Sequence, residues 1–216
     1  GHLLSGIWIN EWILLFLCAA LFFFGWYSAH RRTVYLFGGL STLVLALAIN
    51  VFTRMELSQQ RSWIVYHLYK TSVVDAFDGY HRYSISGVDE DDPALDWAVN
   101  SHRQKRGVAP WADTTTALHW YEQAPVYAFY DQRLTIINRE WEAGLAPENP
   151  LPVDLLLIQD APRLSLADLS TYFKADTWIF DGSNYPGQVT KWLQEAADLG
   201  LSVHWTARDG AFRKEF

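Results

Sequence analysis

Two long apolar stretches open the chain and decide how the rest of it is organised. Residues 12–26 read WILLFLCAALFFFGW and residues 34–52 read VYLFGGLSTLVLALAINVF, and neither contains a charged residue. A helix needs roughly 20 mainly apolar residues to cross ~30 Å of hydrocarbon. The second stretch has this length, and the first has it if the helix starts near Ile7. The sequence therefore predicts two transmembrane helices, at about residues 7–27 and 34–52.

Burial of both helices in the core of a soluble protein is the alternative interpretation. The rest of the chain is too short to surround two helices that are apolar on every face, so we favour the membrane. The prediction is a membrane helical hairpin over residues 1–54, followed by a soluble α/β domain over residues 55–216.

The charges beside the two stretches indicate their orientation. The short loop between them contains Arg31 and Arg32, and short loops rich in Lys and Arg stay in the cytoplasm. Both ends of the hairpin then lie outside, and the soluble domain is extracytoplasmic. Arg54 and Arg61 argue against this orientation, because they place positive charge on the outer flank. We expect the chain to be the C-terminal part of a longer multi-pass protein of the inner (plasma) membrane.

Composition and motifs exclude several classes of function. The only cysteine, Cys18, lies in the first apolar stretch, so an intramolecular disulfide and a zinc site built on cysteines are excluded. The seven histidines are too widely spaced for an HxH or HExxH metal pair. The GxSxG, GxxxxGK[ST] and GxGxxG motifs do not occur. A formal net charge of −7 disfavours nonspecific binding to nucleic acid.

After the hairpin, the pattern changes from paired strands to alternating strands and helices. The turn Asp78-Gly79 and the pair Val126–Tyr130 and Leu134–Asn138 predict two β-hairpins. A helix is predicted over Pro93–Arg103, with Asp91 or Asp92 as its cap. Further strands and helices then alternate along the chain: Asp154–Ile158, Ser165–Phe173, Thr177–Phe180, Pro186–Leu199 and Ser202–Thr206. This order is typical of a layered α/β domain with a mixed sheet.

One short basic run is a candidate contact for DNA. Arg103, Lys105 and Arg106 lie close together near the end of the predicted helix, and such side chains would neutralise phosphates. The alternative is an ordinary solvated helix end.

Three carboxylates are candidates for binding a divalent cation. Asp75 lies near a strand end, and Asp160 and Asp181 each follow a predicted parallel strand, where α/β folds place their sites. The alternative for Asp181 is a turn and helix cap over residues 181–184, because short polar side chains there bond free backbone N–H groups.

The C-terminal segment resembles a known family. Asp176–Phe212 reads DTWIFDGSNYPGQVTKWLQEAADLGLSVHWTARDGAF, and it resembles the C-terminal end of ComEC-type competence proteins, most closely the Bacteroidetes form. These are polytopic channels that pass single-stranded DNA inward during natural transformation. Ile64–Gly79 is similar to the start of their extracytoplasmic domain. The resemblance implies a metallo-β-lactamase-like domain that ends in a strand, a turn, a helix, a strand and a TxxxGA finish beginning at Thr206. The matching turn residues are Asp181, Gly182, Ser183, Asn184, Asp209 and Gly210.

The departures from the family pattern change the expected chemistry. Metal-binding members carry an HxHxDH motif and a later loop that bears histidine, whereas this chain has neither and reads IQDAP at residues 158–162. The resemblance therefore implies a truncated, degenerate metallo-β-lactamase-like fold without metal or other cofactor. Its expected role is structural and non-catalytic, at the outer mouth of a DNA-uptake channel. The implied partners are the rest of that channel, membrane lipid and single-stranded DNA.

Two other hypotheses remain open. In the first, the chain is a membrane-anchored extracytoplasmic module for binding or assembly, unrelated to DNA. In the second, it is a metal-dependent hydrolase that uses Asp75, Asp160 and Asp181.

Overall fold

A computed structural model gives the fold of the chain. Two apolar helices come first and a mixed α/β domain with two sheets follows, which confirms the predicted order. The helices are α1 (Glu11–His30) and α2 (Thr33–Gln59). The expected start of the first span, near Ile7, lies outside the described residues. The structure describes residues 11–89, 92–106, 119–121 and 126–216.

The two helices form a hairpin whose outer surface is apolar. Both are long and apolar enough to cross a membrane, judged by length and composition. Only 11% of the most apolar window of each helix is buried, whereas a core helix of a soluble protein would be mostly enclosed. At one crossing point the helices approach so closely that a Cβ on Gly39 would lie 2.8 Å from the Phe24 ring. Their exposed faces suit hydrocarbon better than water.

The first sheet of the domain, sheet I, is antiparallel throughout. Its strand order is β10-β1-β2-β3. The tight turn between β2 and β3 falls at Gly79, which confirms the hairpin predicted at Asp78-Gly79. The strands are β1 (Arg61–Val65), β2 (Val73–Asp78), β3 (His81–Ser86) and β10 (Phe212–Glu215).

The second sheet, sheet II, is mixed. Its order is β4-β5-β6-β7-β8-β9, with antiparallel pairing from β4 to β6 and parallel pairing from β6 to β9. Helices α5 (Leu166–Tyr172) and α6 (Pro186–Leu199) provide the crossovers from β7 to β8 and from β8 to β9. The strands are β4 (His119–Tyr121), β5 (Val126–Phe129), β6 (Gln132–Ile137), β7 (Leu151–Ile158), β8 (Phe173–Phe180) and β9 (Val203–Trp205).

The domain is built in four layers, helix on sheet on sheet on helix. Trp63 and Val65 of sheet I pack against Phe129 and Leu155 of sheet II in a fully apolar centre. The outer face of sheet I packs against a helical segment, and α5 and α6 pack against the outer face of sheet II. That segment consists of α3 (Pro93–Leu95), a π-helical turn (Asp96–Asn100) and α4 (Ser101–Lys105). The Asp92 side chain caps its first turn, within the pair of residues expected to do so.

Two features of the domain differ from the expectation drawn from the sequence. The mixed sheet does not contain all the strands, since β1, β2, β3 and β10 form a separate sheet. The chain also passes from β9 through the short helix α7 (Thr206–Asp209) into β10, which closes sheet I against β1. Residues 212–215 read FRKE, and two cations among four residues hide the signal of a strand.

The domain joins the hairpin without a linker. α2 continues past the boundary predicted at residue 54 to Gln59, and β1 begins at Arg61. The hydroxyl of Tyr80, in the β2–β3 turn, donates to the Arg54 carbonyl at 3.1 Å.

The same turn lies directly against the end of α2. The backbone N–H of Gly79 donates to the carbonyl of Gln60 at 3.0 Å. Glycine is needed here because its φ is +58° and a Cβ would lie 2.6 Å from the Ser58 carbonyl oxygen. The end of sheet I at this turn therefore lies next to the helical hairpin, and we call it the hairpin-proximal end. The opposite end, at the loop between β1 and β2, is the hairpin-distal end.

Candidate functional site

Polar side chains collect at the carboxyl ends of the parallel strands. Ile137, Ile158 and Phe180 end β6, β7 and β8 and are paired in register, so the loops that follow them share one edge of sheet II. Open α/β sheets bind ligands at this edge. The loop between β1 and β2, at the hairpin-distal end of sheet I, meets the same edge through the backbone of Lys70, whose N–H donates to the Gly182 carbonyl at 2.9 Å.

Asp181 is the carboxylate at the centre of this edge. It is fully buried, and its Oδ1 accepts hydrogen bonds from the Ser183 N–H (3.0 Å), the Ser183 hydroxyl and the Asn184 side-chain amide (3.1 Å). Its Oδ2 has no hydrogen bond of ordinary geometry with the residues that the structure describes. Burial raises the pKa of Asp181 to about 6, and the hydroxyls of Ser183 and Ser72 oppose this increase. No cation is among the causes of the shift, so only neutral donors stabilise the charged form.

Gly182 permits a close contact between the two sheets. A Cβ on this residue would lie 1.9 Å from the carbonyl oxygen of Leu68, a distance that no side chain allows. The glycine in the predicted FDGSN turn is therefore required by the approach of the β1–β2 loop.

Ser183 and Asn184 hold the loop that follows β7. The N–H of Asp160 donates to the Ser183 hydroxyl (2.8 Å), and the N–H of Ala161 donates to Asn184 Oδ1 (2.9 Å). The Asn184 amide also donates to the Ile158 carbonyl at 2.6 Å. Asp160 and Ala161 have φ of 57° and 44°, and such backbone costs about 1–3 kcal/mol per residue unless its surroundings hold it. We call residues 181–184 with these bonds the turn clamp.

Two further contacts join the sheets beside the turn clamp. The Gln159 side-chain amide donates to the Ser72 hydroxyl at 2.5 Å, and His67 Nδ1 and the Thr206 hydroxyl are 3.1 Å apart. Thr206 begins the TxxxGA finish, so that motif also reaches this edge. Sequence reasoning missed His67, Ser72 and Gln159, because only the packing of the β1–β2 loop on sheet II brings them here.

Asp209 and Gly210 have a local role away from the turn clamp. Asp209 Oδ2 accepts from the Trp205 N–H at 3.0 Å, and Arg208 lies 2.7 Å from Oδ1 and lowers the pKa of this carboxyl. Gly210 has φ of +82°, and its carbonyl is 2.9 Å from His204 Nε2. These contacts shape the connection that carries the chain from sheet II to sheet I.

The three carboxylates proposed as cation ligands are not assembled into one site. Asp75 is fully buried beneath α4, where its two oxygens meet Arg103 Nε (2.8 Å) and Nη2 (2.9 Å). Asp160 joins the turn clamp through its backbone, and the Oδ1 atom of Asp181 is occupied by the clamp. Across residues 11–89, 92–106, 119–121 and 126–216, no three His, Cys, Asp or Glu side chains are placed to share a metal ion.

The basic run predicted as a DNA contact is largely buried. Arg103 is 3% exposed and bonded to Asp75, and Arg106 is 5% exposed, with its guanidinium 4.7 Å from the centre of the Phe77 ring. Burial lowers the pKa of Arg106. The Lys105 side chain lies outside the described residues. Both arginines therefore hold α4 on sheet I, a role different from the surface contact that the sequence suggested.

An open hollow lies next to the turn clamp. It has a volume of about 530 Å³ and is lined by Lys70, Asn138, Arg139, Glu140, Asp160 and Tyr185, among others. Arg139 spans it, with Nε donating to the Asp160 carbonyl and Nη2 lying 3.4 Å from the Tyr185 hydroxyl. The side chains that line the hollow offer both charges and hydrogen-bonding groups to a ligand.

The comparisons with known proteins fit this geometry. The family described as the ComEC C-terminal domain matches residues 63–216, which include both sheets, the turn clamp and the closing strand β10. No curated protein and no solved structure matches the chain. Because the match runs from the first strand of the domain to the last residue, the chain belongs to the ComEC C-terminal domain family.

Proposed function

We propose that this chain is the C-terminal part of a polytopic DNA-uptake channel, in which the domain is structural and non-catalytic at the outer face. Family membership indicates a role in competence and DNA uptake. Two apolar helices with exposed outer faces precede the domain, and the basic pair Arg31-Arg32 between them favours a cytoplasmic loop. The partners would be the rest of the channel and the surrounding lipid of the plasma membrane.

A degenerate metallo-β-lactamase-like scaffold is part of this proposal. Support comes from the four layers, helix on sheet on sheet on helix, and from the polar strand ends at one edge of the sandwich. The histidine motifs of metal-binding members are absent from the sequence, and an Asp and an Asn alone do little to lower the pKa of a bound water.

One observation carries the non-catalytic assignment. Each residue of the family turn has a structural partner: Asp181 accepts from its own turn, Gly182 admits Leu68, and Ser183 and Asn184 hold the loop after β7. A residue that has this many fixed bonds organises the fold, and the motif is explained without any reaction.

Paired variants in a competent host test the proposal. Asp181→Asn keeps the shape and the acceptor oxygen, so transformation frequency should remain near that of the parent strain. Gly182→Val should abolish transformation, because overpacking against a backbone carbonyl costs about 3 kcal/mol or more. Gly187→Ala is the matched control, since nothing lies within 4 Å of the Cβ it would add.

The amount of each variant in the membrane fraction is measured alongside transformation. Loss of transformation in Asp181→Asn, with normal membrane amount and normal thermal unfolding, would give the carboxylate a chemical role and contradict the proposal. Normal transformation in Gly182→Val would show that the domain edge is dispensable.

A further inference from the structure

The edge that carries the turn clamp also carries an unusual combination of exposed side chains. Lys70, Arg139 and Arg163 are all exposed there, in a chain with a formal net charge of −7. Tyr69 and Tyr185 lie beside them and are 80% and 59% exposed. Cations and open aromatic rings at one place are the two elements of surfaces that bind unpaired nucleic-acid strands.

Two adjoining hollows organise these side chains, and we call them together the distal cleft. The first is the hollow of about 530 Å³ beside the turn clamp, and the second, of about 670 Å³, is lined by Arg139, Ala161, Arg163, Tyr185 and Gln188. Arg139 and Tyr185 border both. Among the described residues, Glu140 and Asp160 line only the first hollow, and the second is lined by two arginines and no carboxylate. The second hollow is therefore where an anion would bind.

The aromatic rings are arranged for stacking rather than for packing in the core. Lys70 Nζ lies 5.0 Å from the centre of the Tyr69 ring, and Arg139 Cζ lies 5.8 Å from the centre of the Tyr185 ring. Each ring thus lies next to a cation, so that a base stacked on the ring would have its phosphate close to a positive charge. Tyr130, also exposed, differs because its hydroxyl bonds Asp78 and Arg61 covers its ring at 3.7 Å.

The backbone beneath these side chains is held in unusual conformations. Lys70 has φ of +61°, a region that favours glycine, and its N–H is bound by Gly182. The Arg139 guanidinium is fixed by the carbonyl of Asp160, itself at φ of 57°. Strain held by several bonds is common where side chains must be preorganised for a ligand.

The position of the cleft favours a soluble ligand over the lipid surface. The turn between β2 and β3 lies against α2, whereas Lys70 belongs to the loop at the opposite end of sheet I. That end is about 17 Å away along a strand of this length. In the proposed extracytoplasmic orientation, this end of the domain points away from the headgroups beside the hairpin and is accessible to a strand that arrives from outside.

Resting on the proposed function, we propose that the distal cleft binds single-stranded DNA. Phosphates contact Arg139, Arg163 and Lys70, and unpaired bases stack on Tyr185 and Tyr69. The acidic remainder of the domain keeps this binding weak and sensitive to salt. With three phosphates neutralised on a single strand, log K falls against log salt with a slope of about −2.

Binding is measured with the full chain in detergent micelles, by fluorescence anisotropy of a labelled oligothymidine over a series of salt concentrations. Arg139→Gln combined with Arg163→Gln should weaken binding by at least about tenfold and reduce the slope to about −0.7, the value for one remaining phosphate contact. Tyr185→Leu should weaken binding about tenfold and leave the slope unchanged, because stacking releases no counterions. Arg208→Gln is the control, since Arg208 is an exposed arginine paired with Asp209 outside the cleft.

Three results would overturn the proposal. The first is that the parent chain does not bind the oligonucleotide. The second is that Arg208→Gln weakens binding as much as the cleft variants do. The third is that Tyr185→Leu has no effect and the chain binds duplex DNA with equal affinity. The last would indicate a simple electrostatic surface. If cleft variants bind normally while Gly182→Val still abolishes transformation, the cleft proposal fails and the proposed function stands. If the cleft binds DNA but Gly182→Val transforms normally, the proposed function fails instead.

Discussion

Asp75 and Asp181 are both fully buried carboxylates, the first in strand β2 of sheet I and the second directly after β8 of sheet II, and their surroundings are opposite. Asp75 receives two bonds from Arg103, at 2.8 and 2.9 Å, and one from the Ser84 hydroxyl at 2.7 Å. Among the described residues, the donors around Asp181 are neutral: Ser183 and Asn184 of its own turn and the Ser72 hydroxyl. A buried charge with a fixed counterion is a permanent part of the fold, whereas one without a counterion depends on pH.

The comparison shows why a carboxylate near a strand end is weak evidence for a metal site. Asp75 has no free oxygen, because Arg103 and Ser84 occupy both. The network extends to Tyr66, whose pKa is raised by burial and then by the charge of Asp75. Asp181 Oδ2 has no hydrogen bond of ordinary geometry among the described residues, but within the same part of the chain no three His, Cys, Asp or Glu side chains are placed to hold a cation.

Removing the counterion of Asp75 should have the largest effect. Arg103→Met keeps the length of the side chain but leaves a buried, unpaired carboxylate, which costs about 3–5 kcal/mol. We expect the free energy of unfolding of the full chain to fall by that amount, measured by urea titration in micelles with tryptophan fluorescence as the signal. Arg208→Met is the control and should cause no measurable change, because that pair is exposed to solvent.

A double variant checks the cause of that loss. Asp75→Leu combined with Arg103→Met removes both charges, and replacing a buried ion pair by apolar groups is often close to neutral. The double variant should therefore be more stable than Arg103→Met alone. If the two are equally unstable, loss of packing and not the unpaired charge causes the effect, and the contrast with Asp181 is weakened.

Removing the charge of Asp181 should have a smaller effect, in the opposite direction. The pKa of this carboxyl is about 6 in the folded protein, whereas the ordinary value for an aspartate, which applies to the unfolded chain, is 3.8. Between these values the folded state holds a proton that the unfolded state has lost, so the contribution of Asp181 to wild-type stability decreases as the pH rises from about 4 to 6. The amide side chain introduced by Asp181→Asn cannot ionise. The unfolding free energy of this variant, relative to that of wild type, should therefore increase by about 3 kcal/mol between pH 4 and pH 7.

The measurement is the difference in unfolding free energy between wild type and Asp181→Asn at pH 4 and pH 7. The difference cancels the titration of all other groups that both proteins share. Asp75→Asn is the comparison, because it leaves Arg103 buried without a counterion and should destabilise at pH 7. A pH-independent difference for Asp181→Asn would mean that the carboxyl ionises normally within the fold.

The sequence predicted the elements whose signals are local. Helix α6 has the predicted bounds, Pro186–Leu199, because proline fits its first turn and Gly200, at φ of +66°, ends it. The β2–β3 hairpin followed from two turn residues. Asp181 as a turn residue followed from the preference of short polar side chains for free N–H groups.

The sequence could not predict contacts between distant segments. Arg103 looked like a solvated residue in a basic run, since its partner, Asp75, lies 28 residues earlier. His67 and Thr206 are 139 residues apart and meet only once the two sheets stack. The same reasoning explains why the exposed cations of the distal cleft were missed: Lys70, Arg139 and Arg163 come from three separate loops.

The smallest expected effect separates the two carboxylates through their hydroxyl partners. Ser84→Ala removes one bond to Asp75 but leaves both bonds from Arg103, so it should cost about 1 kcal/mol. Ser183→Ala removes a donor that favours the charged form of Asp181, so the pKa of that carboxyl should rise further. Its cost should be about 2 kcal/mol at pH 7 and less at pH 4, where the carboxyl is protonated in both proteins. Urea titrations of both variants at the two pH values give the comparison. If Ser84→Ala and Ser183→Ala lose the same stability at both pH values, the Arg103 counterion makes no difference to how strongly a hydroxyl stabilises a buried carboxylate.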